Sequence, residues 1–453
     1  MDSTDTIAAI VTAPGEAAVA VLRISGPEAL AVADRVFDGS PPPSRRPSPS
    51  LSHGVIRDAA GRTLDDVLLL VMRGPRSYTG EDVVEIHGHG GRVAPRRLLR
   101  CLIEAGCRPA EPGEFTRRAF LNGKLDLLQA EAILDLVRAR SDRAASAAVE
   151  QMQGALSKSV ADISQGILDV AAEVEASLDF PEEELDPAGP EALRARLREA
   201  RQRIAGLLAT WDEGRLLREG ARVVLLGRPN AGKSTLFNAL LGSERAIVSE
   251  HPGTTRDTIE ETLLVEGIPV VLVDTAGLRD SDCEIERAGI ERARSRMRGA
   301  DLCLYLVDAS APLHPEDLAF LRETAPPPLV VWTKTDLGRH PTAVAPRGTE
   351  SICVVPTTGE GLEELSKAIH RTLLTNDLGE HPGALVSERH RSLLVEADRS
   401  IGEAETLLAG SGDLVVPAAT QLREALERLG EITGRTYHDG LLDAIFRRFC
   451  VGK

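Results

Sequence analysis

At 453 residues the chain is long enough for about three domains. Its 42% hydrophobic content can build several cores, but with aromatics at 3% those cores must be aliphatic, mostly Ala, Leu and Val. Lys and Arg number 53 against 69 Asp and Glu, and the resulting charge of −16 argues against a protein that coats nucleic acid or acidic membrane nonspecifically, while leaving room for a local basic patch.

Asp2 and Asp5 stand where a secretory signal would be basic, so none is expected. No apolar run approaches the roughly 18–20 residues that span a bilayer. The six cysteines include no Cys-x-x-Cys pair and read as reduced thiols of a cytoplasmic protein, not as a disulfide framework or zinc ribbon.

From Met1 to about Gly123, short alternating or apolar runs (Ala18–Ile24, Val67–Met72, Val83–Ile86) are broken by Gly and Pro and predict strands with some helix. Ser40–Ser50, rich in Pro and Ser, reads as a solvated loop. His87 and His89 flank Gly88, but no Cys or carboxylate set with ligand spacing accompanies them, which favours a loop role over a metal. Arg92, Arg96, Arg97 and Arg100, with no acid between them, are either a basic patch for RNA or a solvated helix face.

From about Lys124 the period becomes helical through Leu125, Leu128, Ala132, Ile133, Leu136 and Val137, and again through Leu193, Leu197, Ala200, Ile204 and Leu207. Asp179–Pro190, with three prolines, must interrupt these helices. Near Arg222 apolar strands begin to alternate with helices as far as about Thr375, which predicts a parallel sheet with crossover helices. After the 376–383 linker helical spacing returns from Leu393 to Leu407, Leu422 to Leu429 and Leu441 to Phe449. Helical segments on both sides of an α/β unit predict a helical domain with the α/β domain inserted.

The strand Val223–Leu226 leads into Gly227-Arg228-Pro229-Asn230-Ala231-Gly232-Lys233-Ser234 and then a helix from Thr235 to Leu241. In that context the pattern is a phosphate loop. Main-chain N–H groups wrap the phosphates, the helix N-terminus adds positive potential, Lys233 reaches the β/γ oxygens and Ser234 can ligate Mg²⁺. A second strand, Pro269–Val273, ends in Asp274-Thr275-Ala276-Gly277, where Asp274 can reach the Mg²⁺ shell and the Gly277 N–H the γ-phosphate. Gly253-Thr254-Thr255-Arg256-Asp257 supplies a hydroxyl for Mg²⁺ at Thr254 or Thr255. A third strand, Leu329–Trp332, ends in Thr333-Lys334-Thr335-Asp336, whose Asp336 can accept from guanine N1–H and N2–H. Three ordered elements at strand ends point to a GTPase over an ATPase. Leu278 follows Gly277 where many signalling GTPases carry the Gln that orients water. Glu286 is the candidate replacement, or else one charge on a solvated helix.

Together with Leu22-Arg23-Ile24-Ser25-Gly26, Tyr78-Thr79-Gly80-Glu81-Asp82, Gly88-His89-Gly90-Gly91, Pro112-Gly113-Glu114-Phe115-Thr116-Arg117 and the terminal Phe449-Cys450-Val451-Gly452-Lys453, these motifs make the whole chain resemble the MnmE (TrmE) family of bacterial tRNA modification GTPases. The resemblance implies an N-terminal α+β domain over 1–123 that binds tetrahydrofolate and dimerises. It implies a helical domain over 124–216 and 377–453, interrupted by a Ras-like P-loop GTPase domain over 217–376. GTP would lie on Asn230, Ala231, Gly232, Lys233, Ser234 and Thr235, on Gly253, Thr254 and Thr255, and on Asp274, Gly277, Lys334 and Asp336. Mg²⁺ falls to Ser234 and Thr255, K⁺ to Asn230, and water orientation to Glu286.

In such a family GTP hydrolysis depends on K⁺ and on G-domain dimerisation. The homodimer works with the flavoprotein MnmG, as a heterotetramer, on C5 of the tRNA wobble uridine, and a 5-formyl- or methylene-tetrahydrofolate supplies the one-carbon unit. The folate contacts would be Arg23, Glu85, Lys124 and Lys453: cations for glutamate carboxylates, a carboxylate for the pterin N–H edge. From the sequence alone Arg23, Glu85 and Lys124 read as surface charges, and only the resemblance lifts them. Cys450 is a candidate for the modification chemistry, its thiolate favoured by Arg447, Arg448 and Lys453, or a buried apolar-face residue beside Ile445, Phe446 and Phe449.

Two positions depart from the family pattern. Thr333 replaces Asn in the guanine motif and so removes an amide that braces the phosphate loop. Pro356, before Thr357-Thr358-Gly359-Glu360-Gly361, has no N–H for guanine O6, a role left to Thr357 or a neighbour. Both predict weak, micromolar nucleotide affinity.

Overall fold

A computed structural model of the chain describes residues 5–179, 189–243, 259–274, 299–374, 385–410 and 415–453. It forms two compact units, Met1–Leu134 with Met152–Leu197 and Glu396–Lys453, and Asp135–Gln151 with Arg198–Val395.

The first unit contains a seven-stranded sheet: β1 (Ile7–Ile10), β2 (Val19–Ser25), β3 (Phe37–Asp38), β4 (Ser50–Arg57), β5 (Thr63–Met72), β6 (Val83–His89) and β7 (Arg108–Pro109), in the order β3-β4-β5-β6-β2-β1-β7. All neighbours are antiparallel except β1 and β7. Strand residues alternate between faces. Leu22, Ile24, Val67, Leu69, Val71, Val84 and Ile86 therefore share one core with Val32 and Ala33 of the helix Ala29–Val36 and with Leu98 and Leu102 of the helix Ala94–Glu104. The same alternation turns Arg23 to the opposite face, directly across from Glu85. Further along, the helices Ala155–Asp179 and Val415–Thr433 pack against each other. They bury Leu156, Val160, Ile163 and Ile167 on one and Leu422, Ala425, Leu429 and Ile432 on the other, at three- and four-residue spacings. The first ends at Asp179 and the next helix begins at Pro190, bracketing the Pro-rich interruption.

The second unit holds a six-stranded sheet: β8 (Ala221–Gly227), β9 (Ile259–Val265), β10 (Ile268–Asp274), β11 (Leu302–Asp308), β12 (Leu329–Thr333) and β13 (Ser351–Cys353), ordered β13-β12-β11-β8-β10-β9. Every pairing is parallel except β9 with β10. Both faces are covered, which explains the unbroken apolar run in β8. Val223 and Leu225 pack with Leu236, Leu240, Leu365 and Ile369 from the helices Lys233–Ser243 and Leu362–Leu373. Val224 and Leu226 face the other core, with Phe320 of the helix Pro315–Glu323. The fold is thus an N-terminal α+β domain, a helical region and an interrupting parallel-sheet domain of the P-loop type.

Three sequence expectations need correction. Ser40–Ser50 is not uniformly solvated: it contains a 3₁₀ turn at Pro43–Arg45, and Arg46 is buried with its guanidinium 5.4 Å from the Phe37 ring. His87 and His89 belong to strand β6 and not to a loop, because their pairing with Val21 and Val19 continues the ladder past Ile86. The last helix stops at Phe446, so Phe449 is buried from an irregular tail.

Candidate functional site

The parallel strands β8, β10, β11 and β12 end side by side, Asp274 next to Leu225 and Asp308 next to Thr333. In open α/β sheets ligands bind outside these carboxyl ends at the point where strand order reverses, and here the chain passes from β8 to β9 and β10 on one side and then to β11 on the other. The phosphate loop leaves β8 through Gly227 at φ +140, where a Cβ would lie 2.4 Å from the Leu306 carbonyl oxygen, so only glycine fits. Asn230 holds φ 63 and Gly232 φ 88, and the helix Lys233–Ser243 starts immediately afterward. Asn230, Ser234 and Thr235 are exposed at the mouth of the loop, while Ala231 is buried beneath it. Lys233 Nζ donates to the Gly227 and Arg228 carbonyls, both at 2.8 Å, and is thereby laid along the loop. Gly253, Thr254, Thr255, Gly277, Leu278 and Glu286 lie outside the described residues, and Asp274 is described through its main chain as the last residue of β10.

On the base side, the structure overturns the expected loss of the brace. Thr333 is buried, and its Oγ1 donates to the Ala231 carbonyl at 2.8 Å, with the Val307 carbonyl at 3.2 Å. A hydroxyl therefore does what an amide was expected to do. Lys334, at φ 57, donates to Asp308 Oδ2 at 2.7 Å. Burial alone would raise the Asp308 pKa, but hydrogen bonds from Lys334 and Ser310 outweigh it and hold the carboxyl below its usual value. Asp336 is exposed in the turn Thr335–Leu337. Beyond β13, the Val355 carbonyl accepts from the N–H groups of Thr358 and Gly359, while the Val355 N–H donates to Glu360. The Thr357 N–H has no partner among the described residues, so it can supply the donor that Pro356 lacks. Asp308 and the Thr333–Ala231 bond were not singled out from sequence; a strand-end Asp directly after an apolar run was the available signal.

A second site lies in the first unit. Arg23 Nε donates to Glu85 Oε1 at 2.8 Å, and His87 Nε2 lies 3.4 Å from the other carboxylate oxygen. The Arg23 guanidinium is 4.8 Å from the Tyr78 ring centre and 5.5 Å from that of Phe115. Its Nη1 is buried with no hydrogen-bond partner among the described residues. An unpaired buried guanidinium donor costs free energy unless an acceptor reaches it, so the crevice offers one open donor to an acceptor from a ligand or water.

Lys124 Nζ donates to the Pro75 carbonyl at 2.9 Å, at the base of the turn that carries Tyr78. Lys453 meets the same neighbourhood through its main chain, its carbonyl accepting from the Phe115 N–H at 3.2 Å. Arg23 and Glu85 thus touch directly, whereas the Lys124 side chain bonds Pro75, three residues before Tyr78, and Lys453 reaches Phe115 through its main chain. Those two rings went unrecognised from sequence, where they appear inside motifs without a chemical role.

Ionic contacts hold these walls together. Arg118 bonds Asp5, Glu81 and Glu114, Arg108 bonds Asp5 and Glu114, and Glu81 also accepts from the Ser25 hydroxyl at 2.6 Å. For Glu114 burial favours the neutral acid, but hydrogen bonds from Arg108, the Glu111 N–H and Arg118 prevail and keep its pKa low. The terminal segment is pinned by an antiparallel bridge between Pro112 and Val451 and by the Gly113 N–H to the Cys450 carbonyl. Gly452, at φ +101, lies so close to Ile10 that a Cβ would stand 2.7 Å from its carbonyl oxygen. Cys450 is exposed, which removes the buried alternative. Arg92, Arg96, Arg97 and Arg100 are exposed, the latter three on the solvent side of the helix Ala94–Glu104. Among the described residues no group of three or more His, Cys, Asp or Glu is placed to hold a metal, and no helix is long and apolar enough to cross a membrane.

Two family models match the chain: the GTP-binding protein TrmE N-terminus over residues 6–124 and the MnmE helical domain over 127–450. Among curated relatives, "tRNA modification GTPase MnmE" of Geobacter sulfurreducens is 43% identical over 99% of both chains, and that of Geobacillus kaustophilus is 43% identical over 100% of both. The protein of the same name from Chloroflexus aurantiacus is 45% identical over 99% of this chain and 100% of its own.

Proposed function

The chain belongs to the MnmE family of tRNA modification GTPases, and on that premise we propose that it hydrolyses GTP to drive formation of an aminomethyl or carboxymethylaminomethyl group on C5 of the tRNA wobble uridine. The observation that carries the GTPase half is the Thr333–Ala231 hydrogen bond, which ties a guanine-reading loop to a phosphate-binding loop in one strand-end crevice.

In this reading the N–H groups from Asn230 to Thr235 cradle the phosphates, and Lys233 leaves its carbonyl partners for the β/γ oxygens. Asp336 accepts from guanine N1–H and N2–H, Lys334 is held in place by Asp308, and the Thr357 N–H donates to O6. Ser234, at the start of its helix, and Thr255 would hold Mg²⁺, with Asp274 and the Gly253–Thr254 segment nearby. Asn230, exposed at the loop mouth, would hold K⁺; the two cations supply positive charge where phosphate charge develops. Glu286 orients the attacking water in place of the absent Gln, and Gly277 reads the γ-phosphate.

In the first unit Arg23 Nη1 fits a folate glutamate carboxylate and Glu85 the pterin N–H edge, with Lys124 and Lys453 as further cations. A 5-formyl- or methylene-tetrahydrofolate would supply the one-carbon unit there, and the exposed thiol of Cys450 stands on the segment pinned to Phe115. The protein would act in the cytoplasm as a homodimer with the flavoprotein MnmG, its G domains pairing when K⁺ is bound.

Deleting the gene should erase the C5 aminomethyl-type nucleoside from digested tRNA by mass spectrometry, and restoring the chain should return it; an unchanged nucleoside profile would sink the reading. Hydrolysis should run fast in K⁺ and slowly in Na⁺. Equal rates would remove the Asn230 role.

A further inference from the structure

At the end of the helix Glu114–Leu121 the first unit contains a cavity of about 470 Å³, within the roughly 300–1,000 Å³ typical of small-ligand sites. The buried Phe120 contributes its ring, while Leu121, Lys124, Arg435 and Tyr437 are exposed around it. The loop opposite is built to hold this shape. Gly434, at φ +77, approaches so closely that a Cβ would stand 2.8 Å from the Phe120 ring and 3.0 Å from Leu127. The N–H groups of Arg435 and Thr436 both donate to the Gly430 carbonyl, at 2.9 and 3.3 Å.

These contacts present Tyr437 edge-on to Phe120, ring centres 5.4 Å apart at 68°, with Tyr437 as a whole 44% exposed. Two cations face one acid. The Asp126 carboxylate is already engaged by the Gln129 N–H at 2.8 Å, and Lys124 spends one proton on the Pro75 carbonyl. On a chain of net charge −16, an exposed aromatic ring flanked by Lys124 and Arg435 is a local site for a planar group that carries an anion.

We propose that this cavity receives one unstacked nucleotide of the tRNA, its base against Tyr437 and its phosphate on Arg435; the inference rests on the tRNA-modifying function proposed above. Single-stranded RNA is held in this manner, by stacking on aromatic rings that is tolerant of sequence and by Lys and Arg at the backbone. The exposed rim suits a residue of a polymer whose remainder stays outside. A folate also combines a flat ring with an anion, so the test must separate the two.

The full-length protein is titrated with an unmodified tRNA transcript, and separately with 5-formyltetrahydrofolate, as wild type and as Tyr437→Ala, Tyr437→Phe and Arg435→Gln. Tyr437→Ala should weaken tRNA binding about tenfold, while Tyr437→Phe, which keeps the ring, should match wild type. Arg435→Gln should flatten the slope of log affinity against log salt by about 0.7, one single-strand phosphate contact. Folate affinity, GTP hydrolysis and melting temperature should stay unchanged in all three. Unaltered tRNA affinity in both Tyr437→Ala and Arg435→Gln overturns the proposal, and so does a loss confined to folate. A wild-type chain that ignores the transcript overturns the parent reading with it.

Discussion

The two anion sites proposed for this protein use different materials. At the strand ends of the second unit the donors are mostly main-chain N–H groups, and they come from one run of residues, 227–235. Around Arg23 the open donor is a side-chain one, Nη1, and its walls are gathered from β2, β6, the turn at Tyr78, the helix start at Phe115 and the last residues of the chain. A main-chain site depends on local backbone geometry, enforced by Gly227 and Gly232, and tolerates change in the residues around it. A side-chain site depends on every wall being in register, and the Arg118–Glu114–Glu81–Asp5 contacts supply that register. The first kind fails when one chemical group is removed; the second should fail when its scaffold loosens.

The largest effect should come from Lys233→Ala. It removes the cation for the β/γ oxygens and should lower GTP hydrolysis by about 10²–10³-fold, while folate binding in the first unit stays intact by equilibrium titration. Loss of both would mean that the sites are not separable. Next in size is Arg118→Met. Arg118 is 8% exposed and Glu114 4%, so the change removes one of the two arginines that hold Glu114 and Asp5 and, among the described residues, the only one on Glu81, and should cost about 2 kcal/mol, read as a lower urea midpoint. Folate affinity should fall with it although residue 118 is not one of the expected folate contacts. Retained affinity would show that the walls hold themselves.

Thr333→Val tests the reverse dependence with a smaller effect. It deletes one buried hydrogen bond and leaves the Ala231 carbonyl without its donor, about 1 kcal/mol, or roughly fivefold in nucleotide affinity. Thr333→Ser should restore the wild-type value by fluorescent GDP titration; an equal loss in Ser would assign the effect to packing of the methyl group instead.

This contrast also explains what could be read from the sequence. The phosphate loop was legible because its determinants are contiguous: a buried strand, two glycines at fixed offsets and a helix start. The insertion of the parallel-sheet unit was legible from the change of period near Arg222 and its return at Leu393. Arg23 and Glu85 could be proposed only through resemblance, since they are 62 positions apart and nothing local distinguishes them from surface charges. Tyr78 and Phe115 were missed because their role comes from tertiary convergence on the Arg23 guanidinium. Thr333 was misjudged for a related reason. Its residue type signalled a lost amide, yet the close approach of Ala231 lets a shorter side chain span the gap.

The smallest effect sharpens the comparison within the side-chain unit alone. The hydrogen bond that His89 Nδ1 donates to Asp65 Oδ1, 2.7 Å long, raises the His89 pKa, and the charges of Asp65 and Asp66 add to it while slight desolvation opposes. A histidine whose folded pKa lies above its unfolded value stabilises the fold fully below the unfolded value, about 6.5. That contribution is lost as pH rises through the folded pKa. Urea midpoints of wild type and His89→Gln should therefore differ most at about pH 5.5 and converge by about pH 8.5. Since His89 is well exposed, the difference should be small and should shrink further in high salt. Curves that stay parallel across the range would show that Asp65 holds the strand end through its bond to the His89 main-chain N–H, at 2.8 Å, and that the imidazole charge adds nothing.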